Sequence, residues 1–194
     1  MAKQAQEFGF GKDYLDSLPM NPSRFTAKPG QNLNDPELAQ SGIGQFEVAT
    51  TPLQMAMVTA AVANDGDVMK PYVLSTLRSP DLEVLKKTEP ERLSQAMPSD
   101  VAANLNDMMV TVVESGTGGT GAIDGIDVGA KTGTAQSTED RPPYAWFVSF
   151  APADDPKVAV AVLVESSDTG RSEISGSGLA GPIARAVMKA VLNR

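Results

Sequence analysis

Residues 51–66, TPLQMAMVTAAVANDG, are punctuated for a helix at both ends and apolar around the whole circumference between them. Thr51, Pro52 and Gln54 occupy the N-cap, N1 and N3 positions of a capping box. Asn64-Asp65-Gly66 supplies the stop. Leu53, Met55, Ala56, Met57, Val58, Ala60, Ala61 and Val62 leave no polar stripe between these ends, and a helix of that kind must be surrounded by protein. It is expected to be the central buried helix, with its methionines filling irregular gaps in a core and not forming a ligand box. Whatever else the chain builds has to wrap this segment.

The wrapping elements change character along the chain. Residues 1–8 read as the end of a helix stopped by Gly9 and Gly11. From Leu18 to Pro36, prolines at 19, 22, 29 and 36 point to an ordered surface loop. Tyr72–Arg78 and Glu83–Thr88 flank Ser79-Pro80-Asp81 as a surface hairpin. Pro98-Ser99-Asp100 opens an amphipathic helix whose stripe of Val101, Leu105, Met108, Met109 and Val112 is expected on the core. The last third turns to strands: Ile126–Ala135, Tyr144–Ala151, and Lys157–Glu165, the third apolar on both faces and therefore central or doubly covered. Asp154-Asp155-Pro156-Lys157 joins the last two as an antiparallel hairpin. Gly181-Pro182 starts a terminal helix with Ile183, Ala186, Val187, Ala190 and Val191 expected on the sheet. The reading divides the chain into a mainly helical part (1–70), a hairpin and helix (71–126), and three strands with a terminal helix (127–194). This is an α+β arrangement, an antiparallel sheet flanked by helices and short of strands.

Composition removes whole classes of chemistry. Sixteen basic against 24 acidic residues give a net charge of −8, which repels phosphate backbones, so nucleic acid is not an expected partner. There is no cysteine, so no disulfide and no thiol nucleophile. There is no histidine, so a Ser-His-Asp triad cannot be assembled within the chain and proton transfer falls to Lys, Asp, Glu or Tyr. No cofactor or metal is implied. The longest strongly apolar run, Val158–Val164, is far short of the roughly 20 residues of a spanning helix, and no secretory signal opens the sequence, so export information is expected outside it.

Two polar stretches remain. Gly116–Gly121 satisfies G-x-G-x-x-G, yet a helix leads in and a strand follows, the reverse of a dinucleotide site, and it reads as a flexible connector. Val128–Gln136, VGAKTGTAQ, is more informative. On a strand Thr132 and Thr134 share one side while Lys131 points to the other. Gly133 between them lets a backbone or a ligand come close. A carboxylate and an extended peptide would fit beside it, whereas Lys-Thr-Gly taken alone reads as an ordinary strand with a bulge. Glu165 and Asp168 read as part of a solvated loop.

With KTGTAQ at 131–136, the Gly-rich connector before it, the strands YAWFVSFAP and VAVAVLVE after it, and the block SGIGQFEVATTPLQMAMVTAAVANDG at 41–66, the sequence resembles the transpeptidase domain of penicillin-binding proteins. TPLQMA with KTGTAQ is closest in character to the monofunctional, class B type. The family combines S-x-x-K, S-x-N and K-T-G motifs. Here no Ser is followed three residues later by Lys, and no Ser-x-Asn occurs; Ser75-Thr-Leu-Arg78 is the nearest approach. The resemblance therefore implies the C-terminal portion of one transpeptidase domain, with the other two motifs on a missing N-terminal part and the anchor outside this chain, on the extracytoplasmic face of the membrane.

The implied reaction is acyl transfer. A serine attacks the D-Ala-D-Ala bond of a peptidoglycan stem peptide, D-Ala leaves, and an amine of a neighbouring stem takes the acyl group; β-lactams imitate the donor. The resemblance gives Lys131 the role of stabilising negative charge and holding the second motif's hydroxyl. Thr132 and Thr134 would bind the substrate carboxylate, and the Thr134 N–H would supply half of an oxyanion hole. The donor would run antiparallel along this strand past Gly133, with Gln136 lining the same groove. A serine β-lactamase or sensor domain, and a non-catalytic binding module derived from this fold, remain the alternatives.

Overall fold

The apolar helix forms where its punctuation places it, but its capping differs from the expectation in one respect. In the structure, a computed structural model that describes residues 1–15, 18–26, 28, 30–135, 142–165 and 174–193, helix α3 runs over Pro52–Ala63. Thr51 Oγ1 accepts the Gln54 N–H at 3.2 Å. The reciprocal half of the box is not made. The Thr51 N–H donates to Ser23 Oγ at 3.0 Å, and the Gln54 amide donates to the Phe8 carbonyl at 2.7 Å. Gln54 is fully buried, so its side chain serves as a clamp between α3 and the N-terminal segment.

That segment begins with α1, Ala2–Glu7, and turns at Gly9, whose φ of +96° favours glycine. The Tyr14 hydroxyl donates to the Gly9 carbonyl. A second helix, α2 at Asp35–Gly42, was not expected from the sequence, which reads as loop through Pro36. The Asn34 side chain accepts the Glu37 N–H (3.0 Å) and Glu37 accepts the Asn34 N–H (2.9 Å), a complete capping box. Pro36 is tolerated because first-turn N–H groups have no intrahelical partner.

After α3, strand β1 (Asp67–Met69) pairs antiparallel with β4 (Arg92–Gln95), a ribbon without a sequence signal of its own. Between them the expected hairpin appears in shortened form as β2 (Thr76–Arg78) and β3 (Val84–Lys87). Helix α4 spans Ser99–Glu114. Its expected stripe is rotated: Ala102 and Val113 are buried, Leu105 and Met109 pack near Phe150, and Met108 is 62% exposed, with Val101 also outward. The small Ala102 side chain allows close approach, so the helix leans on that line.

The main sheet is antiparallel in the order β5-β6-β7, with β5 at Gly129–Ala135, β6 at Tyr144–Ala151 and β7 at Val158–Val164. The first strand starts three residues later than expected. Among the described residues β7 lies at an edge of the sheet, and it is doubly covered as expected, its two apolar faces meeting α3 on one side and the terminal helix on the other. That helix, α5 (Gly181–Leu192), lies on the sheet through Gly181, Ala184 and Met188, while Ile183, Val187 and Val191 face outward. The expected face was therefore the wrong one. Phe147, with no exposed surface, anchors the α5 side of the core; Phe150 anchors the α3–α4 side.

Candidate active site

The Lys-Thr-Gly-Thr run lies on β5, which is an edge of the sheet. Thr132 pairs with Phe147 and Thr134 with Ala145, whereas Lys131 pairs with Val148 and Gly133 with Trp146. Alternation then puts the two hydroxyls on the face shared with α5 and the ammonium on the face shared with α3. Lys131 Nζ donates to the Thr132 carbonyl at 2.8 Å. Thr132 Oγ1 lies 2.8 Å from Thr117 Oγ1. Lys131 and Thr134 are exposed and Thr132 is half-buried. Gln136 lies outside the described residues, as does Asp168.

Gly133 has another backbone against it. Gly176, in a single π-helical turn at Gly176–Ala180, packs so closely that a Cβ on it would collide with the Trp146 carbonyl and stand 2.8 Å from the Gly133 oxygen and 3.0 Å from its nitrogen. Main chain thus packs directly against β5 and β6 at this point.

On the Lys131 side, an open cavity of about 670 Å³ separates the sheet from the loop that leads into α3. Lys131, Trp146 and Glu165 line it from the sheet, and Ile43, Gln45 and Phe46 from the loop. Phe46 has a φ of +62° and Ile43 is 76% exposed. A non-glycine residue in the left-handed region costs about 1–3 kcal/mol and persists where its surroundings dictate it. Among the described residues no group of three or more acidic side chains is placed to hold a metal ion, and no helix is long and apolar enough to cross a membrane.

Sequence reasoning located β5 and missed what surrounds it. Thr117 sits in the stretch read as a flexible connector, but that stretch is a packed turn: the Gly118 N–H donates to the Val112 carbonyl at 2.8 Å, and a short 3₁₀ turn follows at Gly119–Gly121. The density of glycines was the available signal. Glu165 was read as solvated loop and lines the cavity. Phe46 carries no signal, since nothing in the sequence marks a positive φ at phenylalanine.

An ammonium, two hydroxyls and a strand edge that has no partner among the described residues, beside an apolar cavity, form a surface suited to an extended peptide bearing a carboxylate. Residues 1–189 match the family described as the penicillin binding protein transpeptidase domain. The chain belongs to that family. It is 44% identical over 191 residues to the peptidoglycan D,D-transpeptidase PbpA of Mycolicibacterium smegmatis, covering 97% of this chain and 38% of that protein. It is 30% identical over 193 residues to the stage V sporulation protein D of Bacillus subtilis, covering 96% of this chain and 29% of that protein. Among solved structures, penicillin-binding protein A from M. tuberculosis as its ceftriaxone acyl-enzyme superimposes with a TM-score of 0.88 at 38% identity, covering 98% of this chain and 42% of that one. The chain thus spans well under half the length of these relatives. The α+β fold expected from the sequence is the fold of this family.

Proposed function

We propose that this chain forms the Lys-Thr-Gly wall of a serine D,D-transpeptidase that cross-links peptidoglycan stem peptides outside the cytoplasmic membrane and is acylated by β-lactams. The observation that carries the reading is the edge position of β5, with Lys131, Thr132 and Thr134 on it. In an antiparallel edge strand, alternate residues direct both backbone groups away from the neighbouring strand. Thr132, whose carbonyl is taken by Lys131, and Thr134 would share that free edge. A donor peptide ending in D-Ala-D-Ala would add to β5 as an antiparallel strand. Its terminal carboxylate would meet the Thr132 and Thr134 hydroxyls, and its scissile carbonyl the Thr134 N–H, one donor of an oxyanion hole typically worth about 2.7–4 kcal/mol.

The nucleophilic serine and its lysine base belong to a Ser-x-x-Lys motif that these 194 residues lack. In this reading they are supplied by the remainder of a longer protein, with the Ser-x-Asn hydroxyl beside Lys131. The serine attacks the carbonyl, its proton passes to the base, and the peptide C–N bond breaks to release D-Ala. An amine of a second stem then displaces the serine oxygen and forms the cross-link. Gln136, next along the strand, would extend the groove.

The test is Lys131→Ala in the full-length protein. Second-order acylation by benzylpenicillin is expected to fall at least about a hundredfold, the scale on which a charge-stabilising group acts, while the melting temperature stays within a few degrees because Lys131 is exposed. An unchanged acylation rate would remove Lys131 from the mechanism.

A further inference from the structure

The Gly-rich turn before β5 delivers a hydroxyl to the site. We propose that Thr117 is a positioning residue that donates its hydroxyl proton to Thr132 Oγ1, leaving the single Thr132 proton to point at the carboxylate of the donor. This rests on the transpeptidase reading above. The two oxygens are 2.8 Å apart across 15 residues of chain, the usual separation for an O–H···O hydrogen bond. A threonine hydroxyl has one proton and two lone pairs. If Thr132 donated to Thr117 it would have nothing left to offer a carboxylate, which only accepts. With Thr117 as donor, Thr132 is free to donate, and the two hydroxyls act in series, the outer polarising the inner.

The turn is built to hold Thr117 in place. A Cβ on Gly116 would stand 2.9 Å from the Val112 carbonyl oxygen, one on Gly118 would stand 3.0 Å from the same atom, and one on Gly121 would stand 2.7 Å from the Phe147 ring. Three positions of the turn therefore seat main chain directly on α4 and β6, which a loose connector would not require. The Thr117 side chain itself is exposed, so its removal takes nothing from the core.

The test compares Thr117→Val and Thr117→Ser with the unsubstituted full-length protein, using benzylpenicillin and its methyl ester, which lacks the carboxylate charge. Thr117→Val is expected to slow acylation by benzylpenicillin roughly five- to tenfold, the worth of one hydrogen bond, and Thr117→Ser to restore it. All three proteins should react with the ester at one common, slower rate. Equal benzylpenicillin rates for Thr117→Val and the unsubstituted protein would overturn the proposal, and so would an equal loss on the ester. If the unsubstituted protein is not acylated at all, the transpeptidase reading falls, and the contact is judged on this chain by the three-bond couplings that report the Thr132 rotamer. One rotamer in the unsubstituted chain and in Thr117→Ser, with averaging in Thr117→Val, would support it; a single rotamer in all three would overturn it.

Discussion

Tyr14 shows how much a single side chain can fasten that the sequence does not announce. It is 3% exposed, packs with Met57 and Ala61 of α3 and Val68 of β1, and gives its hydroxyl proton to the Gly9 carbonyl. Burial pushes its phenol above the ordinary value of 10.0, because the phenolate would lose its hydration. A group whose folded pKa is raised contributes stability that is fully present below its unfolded pKa and is lost as pH rises through the folded one. Tyr14→Phe should therefore cost about 1 kcal/mol at neutral pH through the lost hydrogen bond. It should also flatten the alkaline limb above about pH 10, where the unsubstituted chain must ionise a buried phenol. Urea unfolding at neutral and alkaline pH checks both; a parallel fall of the two proteins above pH 10 would count against Tyr14 as the alkaline trigger. Gly9 and Gly11 were legible as a helix stop, but no local pattern connects them to a tyrosine whose partner is fixed only by the tertiary fold.

Helices α4 and α5 teach the same lesson twice. In each, the seated line is displaced from the expected stripe: α4 buries Ala102 and Val113, and α5 buries Gly181, Ala184 and Met188, so small residues bring the backbones close and a larger side chain fills the space beside them. Dispersion falls steeply with separation, so a line of small residues that lets two backbones approach can outweigh bulkier groups one position round the helix. Periodicity reveals that a helix has an apolar face but not which of two adjacent lines is seated. Strand type was easier, because the double apolarity of β7 is a direct consequence of the helices that cover it. The short ribbon of β1 and β4 escaped notice since three- and four-residue strands carry too few positions for a period. The β2–β3 hairpin stands apart from the rest: Leu82 and Leu85 are 71% and 62% exposed, and every residue of β3 is exposed. Two strands without a packed face are marginal in water. Hydrogen exchange should accordingly show the β2 and β3 amides exchanging at least about a hundredfold faster than those of β6, which opens only with the core. Comparable protection in both would mean that the hairpin is covered in solution.

At the scale of the molecule, Lys131, Thr132 and Thr134 share one strand, and no Ser-x-x-Lys occurs in these 194 residues. The K-T-G-T run was legible as a strand because its residue types and spacing suit one, and the lack of histidine and of Ser-x-x-Lys was legible because it is arithmetic. The cavity beside Lys131 was not, since residues 43–50 and the sheet that line it lie far apart in sequence. An alcohol near its ordinary pKa is a weak nucleophile at neutral pH and needs a base within hydrogen-bond reach. Lys131 on β5 donates to the Thr132 carbonyl, and among the described residues no serine is bonded to it. These 194 residues, incubated with excess benzylpenicillin, should therefore gain no covalent mass in intact-protein mass spectrometry. The full-length protein under the same conditions should gain one β-lactam per molecule. A stoichiometric adduct on the 194-residue chain would place a nucleophile within it and undo the division of labour between strand and serine. An adduct on the long protein alone would place the bond-making step in residues beyond these 194.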